Sequence, residues 1–343
     1  MTLSVESLRA SSSNDMHLNE GDTSRLSSAM PSDSEVAFPG RLNVVLMAIA
    51  AVLTTILYFY VEPDIDLATT VPYILIISTC LALSVYIKHR SAFEDVFRTR
   101  MQLVLKGVVF IFVALATLRI FNHLTMSLAF PLADSLLDSW DKSLGLDWMA
   151  YFTFVQTHPT FATILKVAYI GFDGASLLGF LALVVMGYAR RARYFCEIFL
   201  ITAAICTTIA MFFPAVAAVV YNFGNVSELE GFGAAPGVYH MEQFLMLRTA
   251  ETPSIDLLAA QGLATFPSFH AAGGILLIFG FLKTRLSWGV IAFSVTMIAS
   301  VPIFGGHYFI DVLAGTALAV LVSVLNAMRP CYRGLFGNDA SRY

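Results

Sequence analysis

The chain has little charge. Asp, Glu, Lys and Arg make up 13% of its 343 residues, hydrophobic residues make up 57%, and mean hydropathy is +0.74. Soluble domains carry about 25% charged residues, so that class is excluded. Cysteine is also scarce. Cys80, Cys196, Cys206 and Cys331 fall in or beside apolar runs or near basic connections, which implies neither a disulfide framework nor a zinc site. There is no internal repeat of the kind that builds many transporters. No basic stretch leads into an apolar core near the start, so a cleaved signal peptide is not expected. Residues 1–38, rich in Ser, Asn, Asp and Glu, cannot repay the entropy of ordering and read as a disordered cytoplasmic tail.

Long apolar runs are what the chain does have. They lie near 42–61, 71–87, 104–121, 161–188, 198–220, 266–282, 286–304 and 308–327, against the roughly 17 to 25 residues that cross a bilayer. The run at 266–282 is the shortest in strictly apolar residues and contains Gly273 and Gly274. It is retained because glycine lets membrane helices pack closely. The expected fold is all-α, a polytopic membrane helix bundle of about eight transmembrane helices.

Basic residues mark the cytoplasmic connections. Arg41 precedes the first run; Lys88, Arg90, Arg98 and Arg100 fill the second connection; Arg190, Arg191 and Arg193 fill the fourth; Lys283 and Arg285 fill the sixth; Arg329 and Arg333 follow the last run. The odd connections are acidic, with Asp134, Asp138, Asp141, Glu228, Glu230 and Glu242 among others. Both termini are therefore expected in the cytoplasm, with His123, His158, His240, His270 and His307 on the far side. A bacterial inner membrane suits this layout, and a eukaryotic internal membrane with a lumenal site has the same topology. The outer segment 131–160 reads as an amphipathic piece at the interface, and 221–265, Gly-rich and then helical near 239–248, as a roof over the site.

Two histidine segments carry the chemistry. Phe266-Pro267-Ser268-Phe269-His270 and Gly306-His307-Tyr308-Phe309-Ile310-Asp311 each open an apolar run. His307 and Asp311 are one helical turn apart, so the carboxylate can hold one ring nitrogen protonated while the other attacks. His270 sits at a helix start that favours an anion, placed to act as general acid and base. Nothing in this set requires a metal or other cofactor.

These segments resemble the second and third signature motifs of the type 2 phosphatidic acid phosphatase superfamily, and the run His307 to Gly315 looks most like its inositol phosphorylceramide synthase branch. The resemblance implies a phosphohistidine on His307, acid–base work by His270, orientation by Asp311, and no metal. Residues 101–328 would form a six-helix catalytic core, 39–100 an accessory helix pair and 329–343 a cytoplasmic tail. The partners implied are a lipid phosphate or phospholipid and the bilayer, not nucleic acid.

The chain departs from the family pattern in its cations. No Lys, six residues, Arg-Pro motif occurs, and the Ser-Arg pair expected before the third motif reads Ser300-Val301. A phosphate still needs cations. Arg248 is the first candidate because it shortly precedes the His270 segment, followed by Arg119 and Lys166, with Ser268 as a hydroxyl contact. Asp173, on one helix face with Lys166, reads as a buried structural partner. His123, His158 and His240 read as interfacial or loop residues. The acceptor, water or an alcohol such as inositol, stays open. The rival class is a transport-type or non-catalytic membrane protein, disfavoured by histidines at the boundary rather than the midplane.

Overall fold

The computed structural model describes residues 38–90, 93–224, 237, 238, 240–250, 252–257 and 262–336. The expected tail before residue 38 and most of the glycines and acids of the 221–265 segment lie outside these. The helices run in chain order as α1 (Arg41–Val61), α2 (Leu67–His89), α3 (Asp95–Ser127), α4 (Asp134–Ser143), α5 (Trp148–Thr157), α6 (Pro159–Ile170), α7 (Phe172–Val185), α8 (Ala189–Phe212), α9 (Ala218–Phe223), α10 (Met241–Thr249), α11 (Phe269–Phe281), α12 (Ser287–Phe304) and α13 (Phe309–Ala327). The only pairing of strands among the described residues is a two-residue parallel bridge, β1 (Asp64–Ile65) with β2 (Ser254–Ile255). The protein is an all-α polytopic membrane bundle.

Every apolar run contains helix, although the fifth is interrupted over residues 213–217, and not every run is a full span. Six helices, α1, α2, α3, α8, α12 and α13, are long and apolar enough to cross a bilayer. The fourth run is broken at Gly171 into α6 and α7, bent by 54°, at a residue of low helix propensity. The sixth, α11, has 13 residues, about 20 Å at 1.5 Å per residue, short of a 30 Å core. It packs against α7, α8, α12 and α13. Its glycines permit this: a Cβ on Gly273 would lie 2.0 Å from the Phe172 ring, and one on Gly274 2.8 Å from Ile298.

Burial ranks the helices. None of the apolar window of α1 and 6% of that of α2 is buried, against 50% for α8, so α8 is the central post and α1 and α2 present their apolar surface to lipid. One end of the bundle is basic. There Glu197, fully buried, pairs with Arg193 and Arg329. Arg191 donates to the carbonyls of Leu282 and Leu335, and Lys283 to that of Phe336. The described part of the segment after α13 is thus held against this end as far as Phe336, and Phe38, just before α1, packs against Phe110 and Phe180.

The opposite end carries the short helices. α4 and α5 do not merely lie at an interface; they dock onto α12 and α13. Trp148 Nε1 donates to the Pro302 carbonyl at 3.2 Å and Tyr151 to the Ala299 carbonyl at 2.7 Å. The expected roof is strapped down by α2 and α3: Leu257 N–H donates to Thr69 Oγ1, Tyr73 to the Leu257 carbonyl, and Leu263 N–H to Asn122 Oδ1.

Candidate functional site

Close backbone contact brings the two histidine segments together. Ser268 N–H donates to the Asp311 carbonyl at 3.0 Å, and a Cβ on Gly315 would fall 2.1 Å from the Ser268 carbonyl oxygen. Only glycine at 315 lets α11 and α13 start side by side. Gly306 takes a positive φ of 69°, which turns the chain from α12 into the residue before α13 at little steric cost.

His307 is 5% exposed, Asp311 and Ser268 fully buried. Nδ1 of His307 lies 3.2 Å from Asp311 Oδ2, and Nε2 lies 3.3 Å from Ser268 Oγ. Asp311 Oδ2 also accepts from Tyr308 N–H, and with that oxygen as the acceptor the ring proton sits on Nδ1 and the lone pair on Nε2. Burial pulls the His307 pKa down to about 4, against a smaller upward pull from the Thr265 backbone. The ring is therefore neutral, and nucleophilic, at ordinary pH.

The carboxylates of α4 fix this arrangement. Asp141 accepts from the N–H groups of Phe309 and Ile310 at 2.8 and 2.7 Å, while Asp311 accepts from Tyr308 N–H at 2.9 Å. The first turn of α13 is thereby capped by protein. Asp134 takes the Tyr308 hydroxyl at 2.9 Å and the Val216 N–H. Burial pushes the pKa of both Asp134 and Asp141 up, and their hydrogen bonds oppose it.

His307 and His270 open into one cavity of about 450 Å³, shared with His240, Arg119, Asp173 and Tyr169. His270 stacks on the Tyr169 ring at 4.5 Å between centroids, which sets its plane. Away from the imidazoles the walls turn apolar, with Leu115 and Leu118 of α3, Leu177 of α7, and Phe199 and Leu200 of α8. The start of α11 faces this space through Phe269 and His270, and Ser268 caps it by accepting from Ala271 N–H.

The candidate cations separate. Arg119 lines the cavity and donates to the Tyr73 hydroxyl at 3.0 Å. Arg248 is not among the lining residues; it donates to the Phe130 carbonyl and lies over the Phe244 ring. Lys166 is exposed on α6, also away from the cavity. Asp173 is not a buried partner of Lys166, because the bend at Gly171 turns the helix between them; it is exposed and borders the cavity. His123 bonds the Arg119 carbonyl within α3, and His158, between α5 and α6, bonds the Phe154 carbonyl. His240 was not legible as a site residue, and neither were Tyr169, Asp134 and Asp141, since all reach the site through tertiary packing. Among the described residues no three His, Cys, Asp or Glu side chains are grouped to hold a metal ion.

A family model described as the PAP2 superfamily matches residues 135–325, from the second residue of α4 to near the end of α13. No curated protein and no solved structure matches the chain.

Proposed function

Because the chain belongs to the PAP2 superfamily, whose membership supports a phosphatase- or phosphotransferase-type activity, we propose that it moves a phosphoryl or phospho-headgroup from a lipid phosphate through His307 to water or an alcohol. The observation that carries this is the placing of His307 between Asp311 and the cavity that also holds His270.

Nε2 of His307 attacks phosphorus, the bond from phosphorus to the lipid oxygen breaks, and His270, protonated once the anionic substrate is bound, gives its proton to the leaving alkoxide. Asp311 stabilises the positive ring that forms. In the second half, His270 takes a proton from water or an alcohol, whose oxygen attacks phosphorus and breaks the P–N bond. Arg119 supplies the fixed positive charge and Ser268 a hydroxyl beside Nε2. The apolar walls suit an acyl chain, and the positive-inside pattern supports a site on the extracytoplasmic side.

The test is phosphate release from a panel of lipid phosphates in detergent, without added metal. Wild type is expected to be active, His307→Ala inactive, and His270→Ala slower by roughly a hundred- to ten-thousandfold. Addition of inositol or another alcohol to a phospholipid-fed reaction distinguishes transfer from hydrolysis. Full activity in His307→Ala would rule out this reading.

A further inference from the structure

The cavity that holds His307 and His270 runs deeper than a phosphate needs. Along α3 its lining extends from Arg119 to Phe110, about 14 Å at 1.5 Å per residue. Along α8 it extends from Thr207 to Phe195, roughly 18 Å at the same rise. Half of a hydrocarbon core is about 15 Å, so the cavity is as deep as one leaflet. Its charged side chains and imidazoles stand at the histidine end, and beyond Leu118 the α3 wall is apolar, through Leu115 to Phe110. This wall belongs to the chain's own elaboration, because α3 ends before residues 135–325 that the family model matches.

The deep end is closed by rings. Phe38 meets Phe110 edge-on at 5.6 Å between centroids and lies 5.9 Å from Phe180. Gly107, a turn further along α3, is pressed against Phe180 with no room for a Cβ. On the α8 side Phe195 is backed by Gly280 of α11. The flank, by contrast, is open. Asp173 and Gly174 line the cavity and are also exposed, and a Cβ on Gly174 would meet nothing within 4 Å. Leu178 and Val185 follow Gly174 on the same face of α7 and are 64% and 67% exposed. That face is the one turned to lipid, so the cavity opens sideways to the bilayer at the start of α7.

We propose, on the reading that the histidine end receives a phosphate, that the deep end takes one hydrocarbon chain of the same lipid, which enters past Gly174, and that Phe110 and Phe195 set the length it accepts at about one leaflet's depth. The volume of about 450 Å³ is shared between headgroup and chain, and it leaves a second chain outside, in the bilayer. Each methylene that leaves water for this wall adds to binding until the chain end reaches the Phe110 ring. Past that point another methylene meets a packed aromatic cluster and costs instead.

The experiment measures binding of straight-chain alkylphosphonates to the full chain in detergent by calorimetry. Their P–C bond leaves no alkoxide to expel, so binding is read without turnover. The readout is the ratio of variant to wild-type affinity at each chain length, in which partition of the ligand into detergent cancels. Leu115→Trp, which fills the middle of the cavity, is expected to bind long chains roughly ten- to a hundredfold more weakly and short chains equally well. Phe110→Ala is expected to bind chains longer than the wild-type limit roughly tenfold more tightly. A mere loss of stability would weaken all lengths alike. Val113→Trp, on an exposed position of α3 outside the lining, is the control and should leave every ratio near one. Ratios independent of chain length in both cavity variants, or no binding by wild type at any length, would overturn the proposal. Turnover surviving in His307→Ala would instead overturn the phosphohistidine reading and leave the chain site standing.

Discussion

Asp141 holds Ile310: its carboxylate oxygen accepts the backbone N–H at 2.7 Å, with Phe309 N–H on its other oxygen. A helix far from the third motif in sequence thus fixes the turn that lies between His307 and Asp311.

Asp141→Ala leaves two helix-terminal N–H groups without this acceptor. The expected loss is about 1–3 kcal/mol, seen as a lower melting temperature in detergent, with a fall in kcat because the spacing of His307 and Asp311 loosens. Asp141→Asn, which keeps one acceptor, should lose less. Equal stability of Asp141→Ala and wild type would remove α4 from the account.

Gly315→Ala should be severe despite its small size. The new Cβ would stand 2.1 Å from the Ser268 carbonyl oxygen, a backbone atom that cannot swing aside. Overpacking costs about 1–3 kcal/mol, and a shift of about 1 Å between Ser268 and His307 costs roughly a hundredfold in rate. Gly289→Ala, with nothing within 4 Å, is the control and should change neither activity nor melting temperature.

Tyr73→Phe tests whether α2 is only an accessory. Arg119 loses the phenol that receives its Nη1. Losing that bond costs about 1 kcal/mol, roughly fivefold, expected in KM rather than kcat if Arg119 positions the phosphate, while the bond from Tyr73 to the Leu257 carbonyl, lost with it, shows as a lower melting temperature. A change in kcat alone would contradict that role.

Acid should destabilise the fold through the buried histidines. His307 and His240 each have a folded-state pKa lowered to about 4, against about 6.5 unfolded. Between these values the unfolded chain binds more protons, so stability rises with pH across the window and is lost as pH falls from about 6.5 towards 4, by about 1.4 kcal/mol per unit for each ring. Melting temperatures measured over this range should fall on acidification, and fall less in His240→Gln.

Much of this was legible in the chain. The apolar runs located every major helix, because span length is a property of contiguous sequence. Likewise His270, His307 and Asp311 sit in short local motifs whose geometry a helix start dictates. What the sequence does not carry is lateral placement. Arg248 is the first candidate by its place in the sequence, and only packing turns Arg119 towards the cavity and Arg248 towards Phe130. His240 and Asp141 lie in loop and short-helix segments, where no periodicity says which side chains turn inward. The break at Gly171, which separates Lys166 from Asp173, leaves an apolar run that still reads as one helix.

The central claim is that His307 carries phosphorus. The direct measurement is to mix the protein with a radiolabelled lipid phosphate, quench within milliseconds in alkali, and locate the label. The account predicts an acid-labile, alkali-stable phosphoramidate on the peptide containing His307, absent from His307→Ala. An actively turning-over wild type with no labelled peptide, or label that persists in His307→Ala, would contradict it.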